Sequence, residues 1–230
     1  MTYLTRRTLI AGITATSGLA LLPGAAHAQL GLGGLGLSSI LGKATDSALD
    51  KLAQPGAFYD DEDIRVGLPI VGNSSGGLLG SILGGASRLG VLDGVTRKIN
   101  DAAGIAAGEA KPIFREAIDN LSFSDAPDII KQDDGGTQYL RSSSNDVLHA
   151  KLQPLVDSAL ESLGVYSTFD SLAQKHSFIR RAGLNRESIN TSVTDQGLDG
   201  IFSYVGNEER EFRKDPIGGV TKSLGDLFDR

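Results

Sequence analysis

The sequence predicts a mainly all-α fold built as a single helical domain. Apolar residues recur at intervals of three and four along most of the chain, which is the spacing of one face of an α-helix. Glycine and proline punctuate these stretches, as expected where helices end. Only residues 64–70 alternate apolar with other residues, and this short segment is predicted to be extended. A chain of 230 residues can bury one substantial core.

The amino-terminal part of the domain is rich in glycine. Residues 29–37 alternate glycines with single leucines and are predicted to be a flexible entry to the domain, which then runs from 38 to 230. The first helix is predicted from Ser38 or Ser39 to Ala53. Residues 72–94 contain eight glycines, each of which costs a helix about 1 kcal/mol relative to alanine. We therefore expect a Gly-rich loop region there.

Helix-forming residues dominate from Val95 onward. Pro112 is predicted to start a helix, because its missing amide proton is harmless in a first turn. Thr137 is predicted to cap a long helix that Pro154 kinks and that ends near Gly164. The remaining predicted helices cover residues 125–131, residues 168–182, a stretch opening at Asn190 or Thr191, and residues 217–228.

Residues 1–28 have the pattern of a bacterial export signal. Arg6 and Arg7 precede a diluted apolar run, and Ala26-His27-Ala28 supplies small residues at a cleavage site. The arginine pair fits the twin-arginine variant of such signals. The apolar run is about 14 residues, shorter than the roughly 20 that span a bilayer. The sequence thus predicts a periplasmic protein cleaved after Ala28.

Composition excludes several kinds of function. Removing the signal deletes Arg6 and Arg7 and no acidic residue, so the formal net charge falls from -6 to -8. Such a balance disfavours nucleic acid as a partner, because its recognition needs clustered positive charge. The chain has no cysteine, so thiolate metal sites are excluded. Only His149 and His176 remain after processing, and no cofactor is expected.

The acidic residues near the carboxyl end of the chain are the candidate functional cluster. Asp195 and Asp199 are four residues apart in a predicted helix, and like charges at that spacing repel unless they are paired. With Glu208, Glu209 and Arg213 they could bind a divalent metal, for which Asp195 and Asp199 are the weak candidate ligands, or perform acid–base chemistry. A solvated face neutralised by nearby arginines, Arg213 among them, is the favoured alternative.

Arg65 is the other candidate binding residue. It lies inside the otherwise apolar extended segment and could bind a carboxylate ligand. An internal pair with Asp195 or Asp199 is favoured over that role. His149 and His176 have no partner nearby in the sequence and are interpreted as ordinary helix residues.

Several segments resemble a bacterial family catalogued as domain of unknown function number 4197. The resemblance covers roughly Ala44 to Leu227 and implies an exported helical domain without an assigned activity. The segments that carry it are Arg65–Pro69, Ala110–Phe114, Ala117–Ile118, Leu121–Ser122, Asp125–Ala126, Thr137–Arg141, Val193–Phe202, Gly206–Glu209 and Phe212–Pro216.

Three functional hypotheses follow. The leading one is a non-enzymatic domain of the cell envelope that uses its amphipathic helices to bind an apolar or amphipathic ligand, a membrane surface or an envelope protein. The second is a metal-dependent hydrolase that uses Asp195, Asp199, Glu208 and Glu209. The third is a structural component of the envelope.

Overall fold

A computed structural model describes residues 25–68, 86–122, 132–181 and 184–214. Arg6 and Arg7 lie outside these ranges, as do the helices predicted for residues 125–131 and 217–228. The described part of the chain is helical and contains no strand, which confirms the all-α prediction. Within these ranges, none of the helices is long and apolar enough to cross a membrane.

The helices follow one another with short connections. Their bounds are α1 Ala25–Leu52, α2 Ala57–Asp60, α3 Ala86–Glu109, α4 Lys111–Asp119, α5 Gly135–Ser162, α6 Val165–Lys175, α7 Ser177–Arg181 and α8 Arg186–Lys214.

Helix α8 lies at the centre of the packing. It makes extensive contacts with both α1 and α5, and α3 packs against α5 and α8. Leu41 and Leu49 of α1 and Ile99 of α3 are fully buried, each contributing about 1.5–3 kcal/mol through the hydrophobic effect. Phe114 of α4 meets Phe202 of α8 edge to face, with ring centroids 6.0 Å apart. One continuous core therefore joins the long helices.

Two Gly-rich stretches are helical, contrary to the sequence prediction. Helix α1 begins at Ala25 and includes residues 29–37, and α3 begins at Ala86 and includes residues 86–94; residues 72–85 lie outside the described ranges. The physical reason is that adding a residue to an existing helix costs far less than nucleating one. Leu37 of α1 and Leu92 of α3 are docked in the core, and each anchors a helix that continues past its glycines.

The start of α5 also differs from the prediction. The helix begins at Gly135, so Thr137 lies in its first turn and is not the capping residue. Asp134, at the position before the helix, makes no side-chain cap hydrogen bond. The cap is supplied by a residue distant in the sequence, as described below. The helix continues through Pro154 and ends at Ser162.

The predicted extended segment is present between α3 and α8. Residues 65–68 belong to no helix, and Ile64, Val66 and Leu68 are buried in alternation with more exposed neighbours. Two side-chain amides replace a neighbouring strand: Asn100 of α3 accepts from Val66 N–H at 2.8 Å and donates to the Val66 carbonyl at 2.9 Å.

Gln196 of α8 treats the next residue in the same way. Its Oε1 accepts from Gly67 N–H at 2.9 Å, and its Nε2 donates to the Gly67 carbonyl at 3.0 Å. These bonds satisfy backbone groups that would be costly to bury unpaired. The segment is thus held between two helices without a sheet.

Gly200 allows this segment and α2 to approach α8. A Cβ atom at Gly200 would lie 3.0 Å from Cε1 of Phe58 and 3.2 Å from Cβ of Ile64, which is closer than ordinary contact. Phe58 and Ile64 are both buried, so they have little room to move.

We predict that Gly200→Ala lowers the free energy of unfolding by about 1–3 kcal/mol, because the added methyl overpacks the core. Gly94→Ala is the matched control: it is also helical, has nothing within 4 Å of the added carbon, and should stabilise the protein by about 1 kcal/mol. Urea unfolding of both variants measures the difference. Equal effects in the two variants would contradict the close approach at Gly200.

Candidate functional site

All the candidate acidic residues lie on α8, yet they do not form one cluster. Nine residues separate Asp199 from Glu208, which corresponds to two and a half helical turns and about 14 Å along the axis. The two side chains therefore leave opposite sides of the helix. Each candidate carboxylate has its own partner on a different element, and the described residues contain no group of three or more His, Cys, Asp or Glu able to hold a metal ion.

Asp195 and Asp199 form exposed ion pairs with α5. Asp195 Oδ1 lies 3.1 Å from Nε2 of His149, without the alignment of a hydrogen bond, and Asp199 pairs with Arg141. Both aspartates are about 60% exposed, so each pair contributes at most about 1 kcal/mol. The predicted neutralisation of this face is present, but the partners come from α5 and not from Arg213.

Glu208 links α8 to α1. Its side chain is 9% exposed and pairs with Lys51, and its Oε2 accepts a hydrogen bond from Ser47 Oγ at 2.7 Å. Tyr204, one turn earlier, donates its hydroxyl to Asp61 Oδ2 at 2.7 Å. This hydrogen bond, burial and the nearby charges of Asp61, Asp63 and Glu208 raise the pKa of Tyr204 to about 12.

Glu209 is the candidate residue most deeply built into the fold. Its side chain is fully buried, and its carboxylate lies at the amino end of α5. The backbone N–H of Gly136 donates to Oε1 at 3.0 Å, and Thr137 donates to Oε2 from both its N–H and its hydroxyl at 2.7 Å. Arg213 donates to Oε1 from Nε at 2.9 Å and from a terminal nitrogen at 2.6 Å.

This arrangement gives α5 its amino-terminal cap. The first N–H groups of a helix have no intrahelical acceptor, and the helix dipole favours a negative charge there. Glu209 provides both an acceptor and a charge from a helix far away in the sequence. Arg213 is one helical turn further along α8 and compensates the buried charge. The role of Glu209 and Arg213 is thus accounted for by folding.

Glycines bring the two helices close enough for this contact. A Cβ atom at Gly136 would lie 2.8 Å from Glu209 Oε1, so no larger residue fits without moving the carboxylate. Gly206 of α8 lies against Asp134 and Thr137, with its nearest contacts at 3.7 Å. Arg210 pairs with Asp134 and closes the same end of α5 from the other side.

Arg65 does not pair with either aspartate, which corrects the prediction. Its Nε donates to the Tyr59 carbonyl, and its guanidinium lies over the Tyr59 ring, with Cζ 4.9 Å from the centroid. The segment turns so that Val66 is buried and Arg65 faces solvent on the side of α2. Asp199, the expected partner, is already paired with Arg141.

Sequence reasoning missed Asn100 and Gln196, which hold the extended segment, and Thr137 as the partner of Glu209. One signal was available for Gln196. It lies three residues after Val193 and four before Gly200, on the buried side of α8, where a polar side chain needs a hydrogen-bond partner.

The geometry defines the class of protein: a single all-helical domain around a central carboxyl-terminal helix whose polar side chains bind other elements of the fold. The chain belongs to the family described as "Protein of unknown function (DUF4197)", whose model matches residues 33–229. No curated protein and no solved structure matches the chain.

We predict that Glu209→Gln lowers the free energy of unfolding by about 3 kcal/mol. The amide nitrogen would face an N–H donor at the start of α5, and Arg213 would lose its counter-charge. Asp199→Asn removes an acid from the same helix at an exposed pair and should cost less than about 1 kcal/mol. Urea unfolding of both variants is the measurement, and similar losses would contradict a special role for Glu209.

We also predict a contribution of Tyr204 to alkaline unfolding. The pKa of Tyr204 is about 12 in the folded protein and near the ordinary value of 10 when unfolded. Because the folded state holds this proton more tightly, its stabilising effect is complete below about pH 10 and is lost as the pH rises toward 12. Tyr204→Phe should therefore make the fall in unfolding free energy above pH 10 shallower. An unchanged slope in pH-dependent urea unfolding would refute this.

Proposed function

We propose that this chain is an exported, non-enzymatic binding domain of the cell envelope and that it holds a protein partner on its outer surface. The observation that supports this most is the fate of the α8 carboxylates. Asp195, Asp199, Glu208 and Glu209 each bind a different partner within the fold. A metal-dependent hydrolase would need several of these groups to converge on one ion.

A ligand held in the interior is disfavoured by the packing of α3, α5 and α8. The cavity between these helices has a volume of about 10 Å³, roughly the space of one water molecule. Small-molecule sites occupy about 300–1,000 Å³. Binding at the outer surface is the alternative that needs no rearrangement of this interior. The cavity is lined by Ala103, Ala106, Ala107, Leu152, Val156, Val193, Thr194, Gly197, Leu198 and Ile201.

The surface of the described residues favours a polar partner over a lipid. Ile105 and Val147 are the large hydrophobic side chains exposed there, at 44% and 55%. Single exposed apolar residues are normal on soluble domains and do not make a membrane-binding face. The export part of the proposal depends on the twin-arginine pattern around Arg6 and Arg7 and on cleavage after Ala28.

The resemblance to the family is itself explained by architecture. The segment Val193–Phe202 contains Gln196, Gly200 and Phe202, which hold the extended segment, admit Phe58 and pack on Phe114. Gly206–Glu209 closes the amino end of α5 and the contact with α1. These residues are sufficiently accounted for by folding, and none is left over for catalysis.

We predict that native mass spectrometry of the mature chain, purified from its own envelope without chelator, shows a polypeptide starting at Gln29. We expect no bound metal or lipid mass and a complex of fixed stoichiometry with a second polypeptide. A metal mass would contradict the non-enzymatic proposal, and a lipid mass would contradict binding of protein alone.

A matched thermal test addresses the hydrolase alternative separately. Added calcium or manganese should leave the melting temperature of the wild-type protein and of the Asp195→Asn/Asp199→Asn variant equally unchanged. A metal-dependent rise that the double variant loses would overturn the proposal in favour of a metal site.

A further inference from the structure

Two arginines converge on one tyrosine ring at the junction of α2, the extended segment and α3. Cζ of Arg65 is 4.9 Å and Cζ of Arg97 is 4.0 Å from the centroid of the Tyr59 ring. The two guanidiniums are therefore no more than about 9 Å apart. Like charges at this separation repel, so the ring and its neighbours must hold them in place.

Each guanidinium is held through its inner nitrogen. Arg65 Nε donates to the Tyr59 carbonyl, and Arg97 Nε lies 3.4 Å from Asp93 Oδ2. The Tyr59 hydroxyl donates to the other oxygen of Asp93. Within the described ranges, the terminal nitrogens of Arg65 and Arg97 have no hydrogen-bond partner, so both guanidinium forks are oriented but unoccupied.

The local charge is positive in a chain that is acidic overall. Two guanidiniums face one carboxylate here, whereas the whole chain has a formal charge of -6. The hydrogen bond from Tyr59 and the guanidiniums of Arg97 and Arg65 lower the pKa of Asp93, so Asp93 is ionised and accounts for only one of the two positive charges. Both side chains of the Arg97–Asp93 pair are more than half exposed, which leaves the forks open to solvent.

We propose that Arg65 and Arg97, stacked on Tyr59, form a binding site for a phosphate group. A guanidinium fork gives two parallel N–H bonds to an oxyanion, and two forks match the charge of a phosphate dianion. Stacking on the ring orders both side chains before binding and so reduces the entropy lost. This site is independent of the proposed function and uses none of the α8 carboxylates.

The test is titration of the mature chain with inorganic phosphate at constant ionic strength, followed through the arginine Nε–H signals by NMR. We expect saturable binding that Arg65→Gln or Arg97→Gln weakens at least tenfold. Arg180→Gln removes an exposed guanidinium elsewhere, whose described contact is to the Ala173 carbonyl, and should leave the affinity unchanged.

Asp93 provides a test of opposite sign. Asp93→Asn removes the internal carboxylate that competes for the two arginines and should strengthen phosphate binding several-fold. Asp101→Asn makes the same charge change on the same helix without touching this cluster and should have little effect. Equal gains in the two variants would show a general charge effect and would overturn the site.

Vesicles distinguish the two sources of phosphate. Binding to phosphatidic acid vesicles but not to phosphatidylcholine, lost in Arg65→Gln/Arg97→Gln, would support the site and identify a lipid headgroup. Binding of inorganic phosphate without binding of vesicles would support the site and identify a soluble phosphate. Absence of saturable phosphate binding, or the same affinity in the double variant, would overturn the proposal.

Discussion

The buried carboxylate of Glu209 is the constraint on which the arrangement of the long helices depends. It is fully buried and accepts hydrogen bonds from the first turn of α5, so α5 and α8 cannot shift without stranding a charge. Arg213 balances the charge from within α8 and ties it to the same helix. Gly136 exists at its position because any side chain would collide with that carboxylate. One interaction therefore sets the register between two helices of about seven turns each.

The other contacts of α8 follow from that register. With its carboxyl end fixed at α5, Glu208 faces α1 and Gly200 faces Phe58, while Gln196 reaches the backbone of the extended segment. Each polar side chain on the buried side of α8 satisfies a partner on another element, as buried polar groups must. The helix thus works as a spine that positions its neighbours. This is why we regard its acidic residues as structural and look for binding on the outer surface.

The sequence predicted the helical class and much of the helix content, because the three-and-four spacing of apolar residues is a local signal. It failed where the outcome depends on distant contacts. The glycines of residues 29–37 and 86–94 lie in helices because docked leucines anchor those helices. Thr137 was taken for a cap because Glu209, the real one, is 72 residues away. The supposed acidic site could have been rejected from helix geometry alone, since Asp199 and Glu208 leave opposite sides of α8. The stacked pair on Tyr59 had no sequence signal.

The central claim is that Glu209 caps α5, and amide hydrogen exchange on the unmodified protein tests it most directly. First-turn amides normally exchange fast because they lack intrahelical acceptors. The account predicts that Gly136 and Thr137 exchange only when the whole domain unfolds. The corresponding amides of α6, Tyr166 and Ser167, follow Gly164, which makes no side-chain cap hydrogen bond, and should exchange far faster. Equally fast exchange at the starts of α5 and α6 would contradict the account.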